Sequence, residues 1–445
     1  MAFDYDTIVI GGGPGGLAAA YGLNNSQRVL VVEGNLWGGT CPNFGCDPKK
    51  MLYGVVEARR QAIRYQESGL PVEPKIDWSA MMAFKHSYTD KVPTGTAAGL
   101  KSAGIDQLHG TASFVDEHTL RVGDQQVTGK QIVIATGARP NIPDIPGKAA
   151  FKTSTDFLNL AHLPKKIGFV GAGYVAIELA NIAVEAGAEV HIFQHNDRLL
   201  RNFPQVYTER LKKLLADKGI QFHLNTNVTE LNAVGDNQIK VVTDSTAPIT
   251  LNAIFAAAGR RPNLDQLNLT GIGVAIEPQG VKVDDHLRTN VPSIYAIGDA
   301  IAKSVPKLTP VSGIEGRYVA ALLTGETSGP IHYPAIPHTV FAGPELAQVG
   351  ITLGTAEREN KQYAIHDQSV GAWYTYHRLQ DKDAHVTTIT DKHSGQLVGA
   401  VVLAVNAEEL INDFSELITH QTTAEKATDW TPVYPSVTSD IGYFY

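Results

Sequence analysis

Thr7-Ile8-Val9-Ile10 is a short β-branched run that breaks at once into Gly11-Gly12-Gly13-Pro14-Gly15-Gly16 and continues as Leu17-Ala18-Ala19-Ala20, good helix formers. A second apolar run, Val29-Leu30-Val31-Val32, ends on Glu33, about 20 residues past the turn, where a ribose-binding acid is expected. Strand, glycine turn, helix, strand and acid in that order predict a dinucleotide-binding unit, because backbone without Cβ atoms lets a pyrophosphate reach the amides of the helix N-terminus. The design recurs downstream. Ile167-Gly168-Phe169-Val170 runs into Gly171-Ala172-Gly173-Tyr174-Val175-Ala176, then the helical Ile177-Glu178-Leu179-Ala180 and the strand Glu189-Val190-His191-Ile192-Phe193. A fingerprint repeated at an interval longer than a solenoid repeat predicts two nucleotide-binding domains rather than an array.

Between the two, Ile132-Val133-Ile134-Ala135-Thr136-Gly137-Ala138 reads as a buried strand ending in glycine, and Pro140, Pro143 and Pro146 as a linker. Ala253 to Pro262 repeats that ending through Gly259-Arg260-Arg261, and Ile294-Tyr295-Ala296-Ile297-Gly298-Asp299 closes a further short strand on an acid. From about Pro330 the texture changes to antiparallel-type segments, His385 to Thr390 and Leu397 to Leu403, followed by a helix over Ala407 to Phe414. The chain is 445 residues long, enough for roughly three domains of about 150 residues. The expected fold class is α/β: two Rossmann-like domains plus a C-terminal α+β domain.

The net charge of −8, from 37 basic and 45 acidic residues, gives no reason to expect nucleic acid or an anionic membrane as partner. No apolar run reaches the ~18 residues of a transmembrane helix. The acidic opening Met1-Ala2-Phe3-Asp4-Tyr5-Asp6 is not how a secretory signal begins, so the cytoplasm is the expected compartment.

Both cysteines of the chain lie in Gly38-Gly39-Thr40-Cys41-Pro42-Asn43-Phe44-Gly45-Cys46-Asp47-Pro48-Lys49-Lys50. One pair, without a second Cys-x-x-Cys or a spaced His pair, is short of the four ligands of a zinc site, and no metal is expected. A reducing compartment disfavours a structural staple. A redox disulfide storing two electrons fits the nucleotide domain that precedes it. With Pro48 as a first-turn residue, Cys46 is expected at a helix N-terminus, where the dipole stabilises a thiolate.

The second fingerprint carries Gln194 where an acid would accept the 2′-hydroxyl of NAD and repel the 2′-phosphate of NADP. Gln194 repels neither, and His195, Arg198 and Arg201 are near enough in sequence to pair with a phosphate. NADPH is therefore the expected coenzyme, although solvated basic residues just past a strand would look the same.

In order along the chain, the first fingerprint, the stretch Gly38 to Lys50, Ala135-Thr136-Gly137, Gly171 to Glu178 and Ala296-Ile297-Gly298-Asp299 resemble those of the pyridine nucleotide–disulfide oxidoreductases of the glutathione reductase, lipoamide dehydrogenase and mercuric reductase group. The resemblance covers essentially the whole chain. It implies a homodimer in which FAD lies between the nicotinamide and the cysteine pair. It also implies the domain order: 1–145 and 266–329 for FAD, 146–265 for NAD(P), 330–445 for the dimer interface. Cys46 then resembles the thiol that contacts the flavin and Cys41 the interchange thiol. Lys49 and Glu178 resemble an ion pair beside the reactive flavin nitrogen, and Tyr174 the ring that covers the flavin. The resemblance places cofactor contacts at Gly11, Gly13, Gly15, Gly16, Glu33, Gly39, Thr40, Lys50, Gly110, Thr111, Ala112, Ala135, Thr136, Gly137, Asp299 and Thr309. It places further ones at Gly171, Gly173, Tyr174, Gln194, His195, Arg201, Gly259 and Arg260.

Members that reduce small disulfides carry a histidine near the C-terminus, with a Glu a few residues later. Here Tyr434 stands for the His and Ser439 for the Glu in Val433-Tyr434-Pro435-Ser436-Val437-Thr438-Ser439. A phenol, with a reference pKa of about 10, is a poor base at neutral pH. Mercuric reductases have a tyrosine near this position, but their extra C-terminal cysteine pair is absent. Asp47 replaces the usual aliphatic neighbour of Cys46. It either raises that thiol's pKa or binds a cationic substrate, or it simply faces solvent or caps the helix. The expected activity is transfer of electrons from NADPH through FAD to the disulfide and on to a small disulfide substrate. The alternatives are a metal-ion or quinone reductase, or a slow redox sensor.

Overall fold

A computed structural model describes residues 3–235, 238–427 and 429–445. The chain divides into two compact units. The first comprises Met1–Lys49, Ala83–Asn141 and Gly259–Tyr333, and the second Lys50–Met82, Ile142–Ala258 and Pro334–Tyr445.

In the first unit the strand Tyr5–Ile10 lies between Val29–Glu33 and Gln125–Ile134, parallel to both, with Ile8 opposite Leu30 on one side and Ile132 on the other. Asp106–His109 extends the parallel sheet beyond Val29–Glu33, and Ile294–Ala296 adds in parallel to Gln125–Ile134. Thr119–Val122 and Ala112–Phe114 follow as antiparallel strands. The near-continuous apolar runs are those of strands covered on both faces. Ile8, Val9, Val31, Ile132 and Val133 are fully buried, each contributing about 1.5–3 kcal/mol. The helix Pro14–Leu23 packs on the helix Thr309–Thr324 so closely that a Cβ on Gly316 would come within 2.3 Å of the Gly15 carbonyl.

The second unit holds a five-stranded parallel sheet in the order Ile220–His223, Glu189–Phe193, Lys166–Val170, Ala253–Ala256, Phe151–Lys152. It also holds a three-stranded antiparallel sheet, Val228–Ala233, Ile239–Thr243 and Ile249–Leu251. The remaining sheet is antiparallel, from His338–Val340 through Glu345–Gly350, Leu397–Ala404 and His385–Asp391 to Tyr363–Ser369. The helix Ala407–Thr419 buries Leu410, Ile411, Phe414 and Leu417 in the core of that sheet. The α/β class and the α+β C-terminal region are thus as expected, and the strand boundaries at Glu189–Phe193 and His385–Asp391 fall within a residue of those read from the sequence.

Candidate active site

The first glycine turn hangs between two carbonyl anchors. Gly11 N–H donates to the Val32 carbonyl at 2.8 Å, and Ala135 N–H to the Ile10 carbonyl at 2.8 Å. Gly11 has φ +115°, and a Cβ there would meet the Ala135 carbonyl at 2.3 Å. Gly16 is tighter still, its Cβ falling 1.9 Å from the Gly11 carbonyl. Gly13 caps the helix Pro14–Leu23 in extended conformation, leaving the first amides of that helix aimed at the turn. Gly39, φ +69°, closes on Gly13, with a Cβ clearance of 2.5 Å. Glu33 is buried at the end of its strand: Oε2 accepts from Gly12 N–H at 2.7 Å and Oε1 from Asn35 N–H at 2.7 Å. Each oxygen keeps a second lone pair for a ligand hydroxyl.

These residues fit FAD on local grounds. A Cβ on Gly11 or Gly16 would strike the backbone around the turn, and the Thr136 hydroxyl beside it is buried with no hydrogen-bond partner among the described residues. Gly110 N–H donates to the Glu33 carbonyl, Thr111 follows it, and Ala112 is buried at the start of its strand. Asp299 sits half-buried in the 3-10 turn Gly298–Ala300. That turn is held by Glu315, fully buried, which accepts from Gly298 N–H at 2.5 Å, Lys303 Nζ at 2.6 Å and the Tyr333 hydroxyl at 2.8 Å. Gly137 has φ +66°, and Gly259 and Arg260 enter a two-stranded ladder in which Arg260 pairs with Pro140.

Both cysteines belong to the first unit and lie on consecutive helices. Cys41 is in Thr40–Phe44, and Cys46 begins Cys46–Arg64, as expected from Pro48. Gly45 makes the corner, with a Cβ clearance of only 3.0 Å to the Thr40 carbonyl. Cys46 is exposed, at the end of the helix where amides favour an anion. Its Sγ is 3.6 Å from Thr309 Oγ1, at the start of the helix Thr309–Thr324. Cys41 is half-buried. Its thiol is pushed well above the usual cysteine range, first by its hydrogen bond to Cys46, then by burial and by the negative charge on Cys46, while Thr309 pulls the other way. Cys41 Sγ donates to Asp47 Oδ1 at 3.7 Å, and the Tyr88 hydroxyl donates to Asp47 Oδ2 at 2.7 Å. The Tyr88 phenol is pushed up to about 12, chiefly by that bond. Tyr88 was not singled out in the sequence, since an exposed aromatic on a helix carries no signal of its own. Lys49 is the last residue of this stretch of the first unit.

The remaining expected residues belong to the second unit, Glu178 among them. Gly171, φ +107°, donates to the Phe193 carbonyl at 2.8 Å, and Gly173 caps the helix Tyr174–Glu185. Tyr174 is half-exposed at the head of that helix and Glu178 is buried, accepting from Phe341 N–H at 3.0 Å. Gln194 is buried: its Oε1 accepts from Ala172 N–H at 3.2 Å, and its Nε2 donates to Asn196 Oδ1 at 2.8 Å and the Arg198 carbonyl at 3.2 Å. His195 and Arg201 are exposed. Lys50 is engaged by Glu408 at 2.7 Å and lies 3.8 Å over the Phe341 ring. Tyr434 is 73% exposed and stacked on Tyr374, also exposed, at 6.4 Å between centroids. Ser439 turns its hydroxyl onto the Ser436 carbonyl at 2.6 Å, closing its own loop.

Residues 5–316 match the family described as pyridine nucleotide-disulphide oxidoreductase, and residues 336–443 match its dimerisation domain. The chain is 33% identical over 431 residues to dihydrolipoyl dehydrogenase of Bacillus subtilis (strain 168), covering 94% of this chain and 91% of that one. It is 34% identical over 383 residues to the chloroplastic/mitochondrial glutathione reductase of Pisum sativum, covering 82% and 68%. A solved structure, the HOCl-induced flavoprotein disulfide reductase RclA from Escherichia coli, superimposes with a TM-score of 0.89 at 26% identity over 99% of both chains. A copper(II) complex of a mutant of that protein does so at 0.90 over 100% of this chain. No helix among the described residues is long and apolar enough to cross a membrane. Two nucleotide turns, a cysteine pair beside the first, and family matches from Tyr5 to Tyr443 lead to one conclusion: this chain belongs to the pyridine nucleotide-disulphide oxidoreductases and is a flavin-dependent disulfide oxidoreductase.

Proposed function

We propose that this protein is a cytoplasmic, homodimeric reductase of small disulfides that draws its electrons from NADPH. The observation that carries this reading is the pairing of an exposed Cys46 at a helix N-terminus with a half-buried Cys41 on the preceding helix, hydrogen-bonded to Asp47. Such a pair keeps one sulfur placed to carry charge, while the other becomes the attacking nucleophile once its proton is removed. When bound, FAD supplies the two-electron step between the nicotinamide and the cysteines. Glu33, the Gly11–Gly16 turn, Thr136 and Asp299 are the residues assigned to hold it. Lys49 and Glu178 are assigned to the reactive end of the flavin, and Tyr174 to the nicotinamide entrance. The segments 1–145 and 266–329 are assigned to FAD, 146–265 to NADPH and 330–445 to the dimer interface.

The preference for NADPH rests on the absence of a carboxylate at Gln194 and on the exposure of His195 and Arg201. A second reading, reduction of a metal ion, is favoured by one contact: the Asp47 carboxylate beside Cys41 Sγ adds a negative charge that attracts a cation to a sulfur donor. The copper(II) complex of the RclA mutant points the same way.

One set of assays separates these readings. The FAD-loaded protein is reduced anaerobically with NADPH and challenged with glutathione disulfide, coenzyme A disulfide, lipoamide, Hg(II), Cu(II) and a quinone. The proposal expects rapid reoxidation by at least one disulfide, lost in Cys41→Ser. Reoxidation by the metals or the quinone alone would overturn it.

A further inference from the structure

We propose that Asp47 is the proton-transfer partner of Cys41 in disulfide exchange, held in place by Tyr88 and doing within the chain what the absent histidine would do at Tyr434. The inference rests on the small-disulfide reading and adds the residue that makes its second half work.

The two oxygens of Asp47 are assigned to two different side chains. Oδ1 accepts from the Cys41 thiol at 3.7 Å and Oδ2 from the Tyr88 hydroxyl at 2.7 Å. A carboxylate serving only as a helix cap would direct an oxygen at the amides of its own first turn instead. Asp47 does lie in the first turn of Cys46–Arg64, where the dipole favours a negative charge. The titratable groups facing it are Cys41 from the helix Thr40–Phe44, Cys46 through its bond to Cys41, and Tyr88 from the helix Trp78–Thr89. With its phenol pushed up to about 12, Tyr88 remains a donor across the neutral range and fixes which oxygen faces the thiol. Cys41 needs such a partner. Its thiol is raised by Cys46 and by burial, so it meets a substrate still carrying its proton.

The exchange balances as follows. Cys41 Sγ attacks one sulfur of a disulfide R–S–S–R′ while its proton passes to Asp47 Oδ1. The substrate S–S bond breaks, and the leaving thiolate takes that proton from Asp47 and departs as RSH. Cys46, as the thiolate, attacks Sγ of the mixed disulfide Cys41–S–S–R′. The Cys41–Cys46 bond forms, and R′S⁻ leaves and is protonated by solvent. The substrate gains two electrons, the dithiol loses two, and the pyridine nucleotide restores them.

The leaving group provides the test. An alkyl thiolate is a strong base and needs the proton, whereas an aryl thiolate leaves without it. Reduced, FAD-loaded wild type and Asp47→Asn are mixed in single turnover with hydroxyethyl disulfide and with dithiobis(nitrobenzoate), across pH. The expected result is an Asp47→Asn rate about 10²-fold lower with the alkyl disulfide and lower by a clearly smaller factor with the aryl one, whose attack still needs the Cys41 proton removed but whose leaving group needs none, both deficits shrinking as pH rises. Tyr88→Phe is expected to show the same split at smaller amplitude, which keeps the proposal testable if Asp47→Asn folds poorly. Equal slowing with both disulfides, or none with either, would overturn the assignment while leaving the disulfide reading intact. Failure of the disulfide reading itself appears elsewhere, as a wild type that neither disulfide reoxidises.

Discussion

The two glycine turns share one backbone and differ in what closes it. Gly13 and Gly173 cap their helices at nearly the same dihedrals, φ −85° and −80°. Gly11 and Gly171 both meet a carbonyl, of Ala135 and Ala257, at 2.3 and 2.4 Å if given a Cβ. Each turn is pinned by a long side chain at the end of the second strand, Glu33 on Gly12 N–H and Gln194 on Ala172 N–H. The differences are local. Gly16 admits no Cβ, while the matching position of the second turn is already Ala176, fully buried. Glu33 uses both oxygens to accept backbone amides, while Gln194 turns its amide nitrogen onto Asn196 and the Arg198 carbonyl. The lesson is that the strand-end residue holds the turn in both cases, and that the proposed function gives it a second duty, reading the ribose. An amide can perform the first without imposing a charge on the second.

Forcing the first turn toward the second at its tightest point has the largest expected effect. Gly16→Ala drives a methyl into the Gly11 carbonyl, so the protein is expected to purify with little or no flavin, read as the ratio of visible to 280 nm absorbance. The reverse change, Ala176→Gly, is expected to leave flavin content alone and to cost about 1 kcal/mol in unfolding experiments. Glu33→Gln comes next. It removes a charged acceptor worth about 1.5–3 kcal/mol, so the Kd for FAD is expected to rise roughly tenfold to a hundredfold in apoprotein titrations.

Gln194→Glu makes the second turn resemble the first, and is expected to lower kcat/KM for NADPH about tenfold while sparing NADH. The new carboxylate would also face the Arg198 carbonyl in place of a donor, so a small loss of thermal stability should accompany the switch. Arg201→Ala has the smallest expected effect, a few-fold rise in KM for NADPH that fades at high salt, because the side chain is exposed and screened. Should NADH be the better donor for the wild type, the contrast between the turns does not set coenzyme choice.

What was legible in the sequence follows from how local each signal is. Strand, turn and helix around Gly11 and Gly171 were readable because glycine spacing and apolar runs are properties of adjacent residues. Cys46 at a helix start was readable from Pro48. The turn-holding duty of Gln194 was not, because it depends on Ala172, a helix and a strand earlier. The same holds for Tyr88, brought to Asp47 by tertiary packing, and for Glu315, which gathers Lys303, Tyr333 and Gly298 N–H around the turn of Asp299. Asp47 was visible as a departure from the family pattern, but its direction was not. A sequence position does not say whether a carboxylate faces solvent or a thiol.

The central claim is that electrons from the pyridine nucleotide come to rest on Cys41 and Cys46. Anaerobic titration of the oxidised, FAD-loaded protein with NADPH, quenched with iodoacetamide and read by peptide mass, tests it most directly. The account predicts that the first equivalent of NADPH makes both cysteines alkylatable, together with a long-wavelength thiolate–flavin absorbance that is missing in Cys46→Ser. Bleaching of the flavin with neither cysteine becoming alkylatable would contradict it.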